Sequence, residues 1–167
     1  MEKEITEVYC GNGRGKTTLA IGQALRASSQ GKSGIIIQFL KGNERRELDF
    51  LEELDQLDIK IFRFEKMETC YDQLNEEEQA EEERNILNGL NFARKVIATQ
   101  ECDFLVLDEI LGLLDKHIAT VDMVVGLLKQ KDESMHLILT GNRVDPGILD
   151  YVDSVTTITT LGREQNS

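Results

Sequence analysis

The sequence predicts an α/β fold, a mostly parallel sheet of about six strands covered by helices, and three observations carry that reading. Short β-rich runs alternate with longer helical stretches, the pattern of strand–helix–strand units. Runs such as IIIQFL at 35–40 and FLVL at 104–107 are apolar throughout rather than alternating, as strands covered on both faces are. A glycine-rich turn at 11–15 stands between the first strand and the first helix, where parallel units make their tight connections.

Taken in order, residues 5–10 read as the first strand and 16–29 as the helix after it. The run at 35–40 is the second strand, 44–56 a helix, and IKIFRF at 59–64 alternates like a third strand. A long helix runs from about 74 to 99. Its second half carries an apolar stripe of Ile86, Leu87, Leu90, Ala93, Val96 and Ile97. Residues 104–107 form a buried strand, 121–131 a helix and 136–139 a strand. Pro146 and Gly147 open a short helix, and 155–160 closes the sheet. No repeat or linker interrupts the chain, and 167 residues suit one core, so residues 1–167 are expected to form a single domain. The acidic block EEEQAEEE at 76–83 reads as a solvated helix face near a helix start, where the macrodipole favours acids.

Bulk properties exclude several classes. A formal net charge of −12 repels phosphate backbones and anionic bilayers, so neither nucleic acid nor a membrane is expected as a partner. An anionic ligand would need a local positive site. No apolar stretch approaches the roughly 20 residues that cross a bilayer, and MEKEITEVYC does not read as a leader. Three cysteines without CxxC spacing point to a reduced, cytoplasmic setting.

The turn itself is built for phosphate. In C-G-N-G-R-G-K-T-T at 10–18, glycines at 11, 13 and 15 let backbone N–H groups turn inward without Cβ clashes. The helix start adds its positive end. Gly11, Asn12, Gly13, Arg14, Gly15, Lys16, Thr17 and Thr18 are therefore the candidate ATP-binding residues of a P-loop, with Lys16 as the mobile cation and Thr17 as a hydroxyl ligand to Mg²⁺. The first glycine of the general pattern is replaced by Cys10, read as a small buried residue closing the strand, or else as a reactive thiol.

Three further segments fall at carboxyl ends of predicted strands, the edge where doubly wound sheets bind ligands. FLVLDE at 104–109 ends in Asp108 and Glu109, candidate Mg²⁺ ligands unless one of them caps the next helix. LILTGNR at 137–143 brings Arg143, whose planar fork suits phosphate oxygens. QFLKG at 38–42 brings Lys41 toward the same cleft. His117 and His136 have no matching partners for zinc and read as structural.

Together G-N-G-R-G-K-T-T at 11–18, Q-F-L-K-G at 38–42, V-L-D-E at 106–109 and L-T-G-N-R at 139–143 resemble the P-loop type ATP:corrinoid adenosyltransferases, from about residue 5 to residue 160. A-L-R-A at 24–27 followed by Gly31-Lys32 adds to the likeness. The resemblance implies a RecA-like fold, a cytoplasmic homodimer, and transfer of the 5′-deoxyadenosyl group of ATP to a cobalt(I) corrinoid with release of triphosphate. A reductant or flavoprotein would supply the cobalt(I). It also implies Thr17 and Glu109 as Mg²⁺ ligands, and Lys16, Glu109 and Arg143 as catalytic residues. Where that family places aromatic residues against the corrinoid, this chain reads Phe64-Glu65-Lys66-Met67-Glu68-Thr69-Cys70-Tyr71 and has no tryptophan. Met67 and Tyr71 are the residues there that suit a corrin ring. Two other readings stand beside this one: a P-loop ATPase or phosphotransferase, and a nucleotide-binding regulatory homologue.

Overall fold

In the computed structural model, which describes residues 5–40, 49–51 and 53–162, six strands form one parallel sheet. Strand β1 is Thr6–Cys10, β2 Gly34–Gln38, β3 Ile59–Arg63, β4 Phe104–Asp108, β5 His136–Thr140 and β6 Ser154–Thr157. Their order across the sheet is β3-β2-β4-β5-β1-β6, with every pairing parallel. The helices are α1 Lys16–Ser29, α2 Glu76–Thr99, α3 Ile110–Asp115, α4 Val121–Gln130 and α5 Pro146–Leu149.

The apolar strands predict a sheet covered twice, and side-chain alternation sorts them between two cores. Val8, Ile35, Ile37, Leu105, Leu107, Leu137 and Leu139 face one way and pack with Ile86, Leu90 and Ala93 of α2, Leu111 of α3 and Val124 of α4. Tyr9, Ile36, Phe104, Val106 and Ile138 face the other way and pack with Ala20, Ile21 and Ala24 of α1. One helix thus covers one face of the sheet and the remaining helices cover the other.

Helix ends follow local chemistry. Asn75 caps α2 in a reciprocal box with Glu78: its side chain accepts from the Glu78 N–H at 2.9 Å, and Glu78 accepts from the Asn75 N–H at 3.0 Å. Asp145 caps α5, with Pro146 at its first turn.

Most expected elements are present within a residue or two of their ends. Three differ. Of the helix expected over 44–56, residues 44–48 and 52 lie outside the described residues, and the described part is a 3₁₀ turn, Asp49–Leu51, with turns after it. Leu51 is buried beside Ile36 and Ile59, so tertiary packing rather than helical period sets that stretch. The last strand begins at Ser154 and ends at Thr157, short of residue 160, because the following backbone turns to the 11–15 loop. Helix α3 was not expected, since ILGLLD is apolar on nearly every side and has no amphipathic period.

Leu107 sits fully buried in the middle of the sheet. Leu107→Ala is expected to cost about 2–5 kcal/mol, whereas Asn75→Ala, which removes only a cap, should cost about 1 kcal/mol. Urea midpoints of the two variants give the comparison, and equal losses would contradict this assignment of the core.

Candidate active site

Because all strands run parallel, the ends of β1, β2, β4 and β5 meet at one edge, and four sequence segments meet with them. The loop after β1 enters α1 through Gly15, which has φ 99° and serves as N-cap without a side-chain bond. Gly11 and Gly13 are glycine for an additional reason. A Cβ on either would stand 2.3 Å or 2.6 Å from the Ile158 carbonyl oxygen, because the backbone after β6 lies against the loop.

That contact engages part of the loop's amide set. Gly11 N–H donates to the Asn142 carbonyl at 2.8 Å and Gly13 N–H to the Ile158 carbonyl at 2.9 Å. Arg14 N–H donates to the Thr160 hydroxyl at 2.9 Å. The amides of residues 15–18 are the opening turn of α1 and have no intrahelical acceptor, so an anion-binding end remains there. The Lys16 ammonium spans the loop, donating to the carbonyls of Gly11 at 2.5 Å and Gly13 at 3.3 Å and to Asn142 Oδ1 at 3.2 Å.

Asp108, the last residue of β4, is fully buried. Its Oδ1 accepts from the Thr17 hydroxyl at 2.9 Å and the Thr140 hydroxyl at 2.7 Å, and its Oδ2 from the Gln38 amide at 3.2 Å. Thr140 also accepts from the Glu109 N–H at 2.7 Å. Strand β5 separates the loop strand from the acid strand, so a threonine at its end reaches both. Glu109 stands at the N-cap of α3 with φ 64°, and its side chain makes no cap bond. A left-handed non-glycine residue there stores about 1–3 kcal/mol.

Arg143 is placed differently. Its Nε donates to Asp115 at 2.8 Å, and its side chain is largely exposed. The residue beside it, Asn142, is the one that reaches Lys16. Arg143 and Asp115 line a cavity of about 370 Å³ with Leu114, Thr120, Val144 and Pro146. Lys41 lies outside the described residues.

The sequence model of the ATP:corrinoid adenosyltransferases BtuR/CobO/CobP matches residues 2–165. The chain belongs to that family. It is 30% identical over 160 residues to the corrinoid adenosyltransferase of Escherichia coli K12, covering 93% of this chain and 76% of that protein. It is 28% identical over 158 residues to corrinoid adenosyltransferase CobA of Salmonella typhimurium LT2, with the same coverage of 93% and 76%. Among solved structures, a KaiC-like protein of Pyrococcus horikoshii OT3 superposes with a TM-score of 0.61 at 20% identity, over 98% of this chain and 74% of that one. The fold is therefore RecA-like, and the chain is an enzyme of the corrinoid adenosyltransferase class.

In this family member, the Thr17 hydroxyl and the Asp108 carboxylate stand together at 2.9 Å, with Glu109 next in the chain, so the donors offered are all oxygen. That is the chemistry a hard divalent cation takes, so the residues fit Mg²⁺.

The stretch after β3 is tied to α2 rather than loose. Glu82 is 2% exposed and accepts from the Lys66 N–H at 3.0 Å and from Asn85 at 2.8 Å. The Tyr71 hydroxyl donates to Glu83 at 2.5 Å, and burial, then that bond, pushes its pKa up to about 12. The acidic block is thus not wholly a solvated face, because two of its acids hold the segment that follows β3. Met67 in that segment is half-buried. Gln38, Thr140 and Asn142 were not singled out from the sequence, although each lies inside a strand-end segment that was.

Cys10 is buried, 3.7 Å from the Thr157 hydroxyl, as a strand-closing residue would be. Burial pushes the Cys102 thiol up to about 12, which leaves almost no thiolate near pH 8, whereas Cys70 is exposed. An aromatic disulfide reagent at pH 8 should therefore label Cys70 quickly, and the other two thiols only after unfolding. Rapid labelling of all three would contradict the burial described. Thr140→Val keeps the shape but removes an acceptor from the Glu109 N–H and a donor from Asp108. It is expected to lower stability by about 1–3 kcal/mol, read from the urea midpoint.

Proposed function

We propose that this chain transfers the 5′-deoxyadenosyl group of ATP to the cobalt of a reduced corrinoid and releases triphosphate. One observation carries the proposal: Lys16, the opening amides of α1 and the Thr17–Asp108–Thr140 cluster meet at one sheet edge. In the reaction the cobalt(I) electron pair forms a bond to the 5′ carbon, the bond from that carbon to the triphosphate oxygen breaks, and its pair leaves with triphosphate. Cobalt(I) is already a strong nucleophile, so no base is required of the protein.

The protein's task is to hold the negative charge that grows on the leaving group. The amides of Gly15, Lys16, Thr17 and Thr18 supply fixed dipoles, since those of Gly11, Gly13 and Arg14 hold the loop in shape. Among the described residues Lys16 bonds neutral oxygens, so exchange for phosphate oxygens adds charge attraction. Arg143 completes the set by leaving Asp115, a pair that water and salt screen because the arginine is largely exposed. Asn12 and Lys41 are assigned to the nucleotide as well. Thr17, Asp108 and Glu109 would hold Mg²⁺, which when bound neutralises triphosphate charge. The three free cysteines support a cytoplasmic setting, and the family likeness supports a homodimer and a reductant partner.

An anaerobic assay with ATP and several cobalt(I) corrinoids tests this. Triphosphate with an adenosylated corrinoid is the expected product pair. ADP and phosphate would assign ordinary phosphoryl transfer, and ATP binding without turnover would assign a regulatory role. Lys16→Ala should lower kcat by about 10²–10³-fold, and near-normal turnover would remove the lysine from the mechanism.

A further inference from the structure

Asp108 belongs to a row of polar side chains that crosses the sheet edge. Arg63, Gln38 and Asp108 are the last in-register partners of β3, β2 and β4. By alternation they share the α1 face with Ile36 and Val106, and Thr140 at the end of β5 shares it with Ile138. The row is bonded from end to end. Arg63 Nε donates to Gln38 Oε1 at 2.7 Å, Gln38 Nε2 to Asp108 Oδ2 at 3.2 Å, and the Thr140 hydroxyl to Asp108 Oδ1 at 2.7 Å. Gln38 is 4% exposed.

Donor chemistry makes the row directional. A guanidinium only donates, an ionised carboxylate only accepts, and a glutamine amide has one end of each kind. Between Arg63 and Asp108, therefore, one orientation of the Gln38 amide satisfies both neighbours and the flipped one opposes both. We propose that Gln38 and Arg63 are positioning residues for Asp108. Arg63 fixes which end of the Gln38 amide faces the acid, and Gln38 holds Oδ2 so that Oδ1 stays turned to Thr17 and the phosphate loop. The inference rests on the cation-binding role proposed for Asp108. It adds that the end of β3, which leads into the segment tied to Glu82 and Glu83, governs how well that cation is held.

The test measures ATP binding by calorimetry across a Mg²⁺ series, with Mn²⁺ binding by electron paramagnetic resonance as a second readout. It uses the full-length wild type, Gln38→Leu, Arg63→Met and Arg63→Lys, each checked for a cooperative thermal transition. Gln38→Leu and Arg63→Met are expected to raise the Mg²⁺ concentration for half-maximal ATP binding about tenfold or more, the usual effect of losing a partner behind a metal-binding residue. ATP affinity should recover at saturating Mg²⁺. Arg63→Lys, which keeps a donor, should fall back toward wild type. A folded Gln38→Leu or Arg63→Met with an unchanged Mg²⁺ midpoint overturns the inference. Should Gln38→Leu not fold, Arg63→Met decides, and failure of that variant to fold would assign the row to stability alone and overturn the proposal too. Wild type binding ATP equally well without Mg²⁺ would instead remove the cation reading on which the inference stands.

Discussion

A carboxylate taken wholly out of water must be bonded on both oxygens, and the way Asp108 meets that demand organises this molecule. Among the described residues its partners include Thr17 from α1, Gln38 from β2 and Thr140 from β5. Satisfying one buried carboxylate therefore fixes the helix that follows the phosphate loop against the strands that carry the rest of the site. Removing one of these partners takes a bond from a carboxylate in a dry place, which is costly, so the three are held to a single arrangement. Order in the sheet makes this possible, since β5 lies between β1 and β4 and its terminal threonine stands within reach of both.

Two of the four left-handed non-glycine residues among the described residues lie at the same edge. Leu40 and Glu109, just past the ends of adjacent strands β2 and β4, both take left-handed φ values, 59° and 64°. The left-handed turn at Glu109 places its N–H on Thr140. Leu40 places its N–H on Glu65, just past β3. In each case an energetically poor conformation puts a backbone donor on an oxygen from the neighbouring part of the edge. Such strain persists only where surrounding structure over-determines it. Here the surroundings are two packed cores on either side of the strands.

Much of this was legible in the sequence, and what was not has physical reasons. Fully apolar strands, a glycine turn between strand and helix, and acids directly after FLVL are local signals, and local signals gave the strands, α1 and the loop. Gln38 and Thr140 were hidden because their importance is non-local. Each is an ordinary polar residue until the sheet order sets it beside Asp108. Gly11 and Gly13 were legible as glycines for phosphate, yet the crowding by Ile158 comes from a stretch roughly 150 positions later and no loop pattern contains it. Arg143 and Asn142 differ in how visible they are. A strand-end arginine stands out in a sequence, while its neighbour Asn142 makes the contact to Lys16.

Glu82 makes the point about charge most sharply. In a run of six acids it looks interchangeable with the others, and an acidic helix face is ordinarily solvated. Its burial turns it into an anchor, because a buried carboxylate needs donors and takes them from the Lys66 backbone and Asn85. The Lys116–Asp72 pair also touches this segment, at 2.6 Å, but Asp72 is 71% exposed, and an exposed pair contributes little once water and salt compete. The 64–75 stretch is therefore held from the α2 side by Glu82 and by the Tyr71–Glu83 bond, and at its start by the Leu40–Glu65 bond, with Lys116 adding little. Among the described residues no group of three His, Cys, Asp or Glu side chains comes together to hold a metal ion. Glu82 and Glu83 of α2 serve instead to fasten the strand-following segment that, together with Arg63 and Gln38, leads back to Asp108.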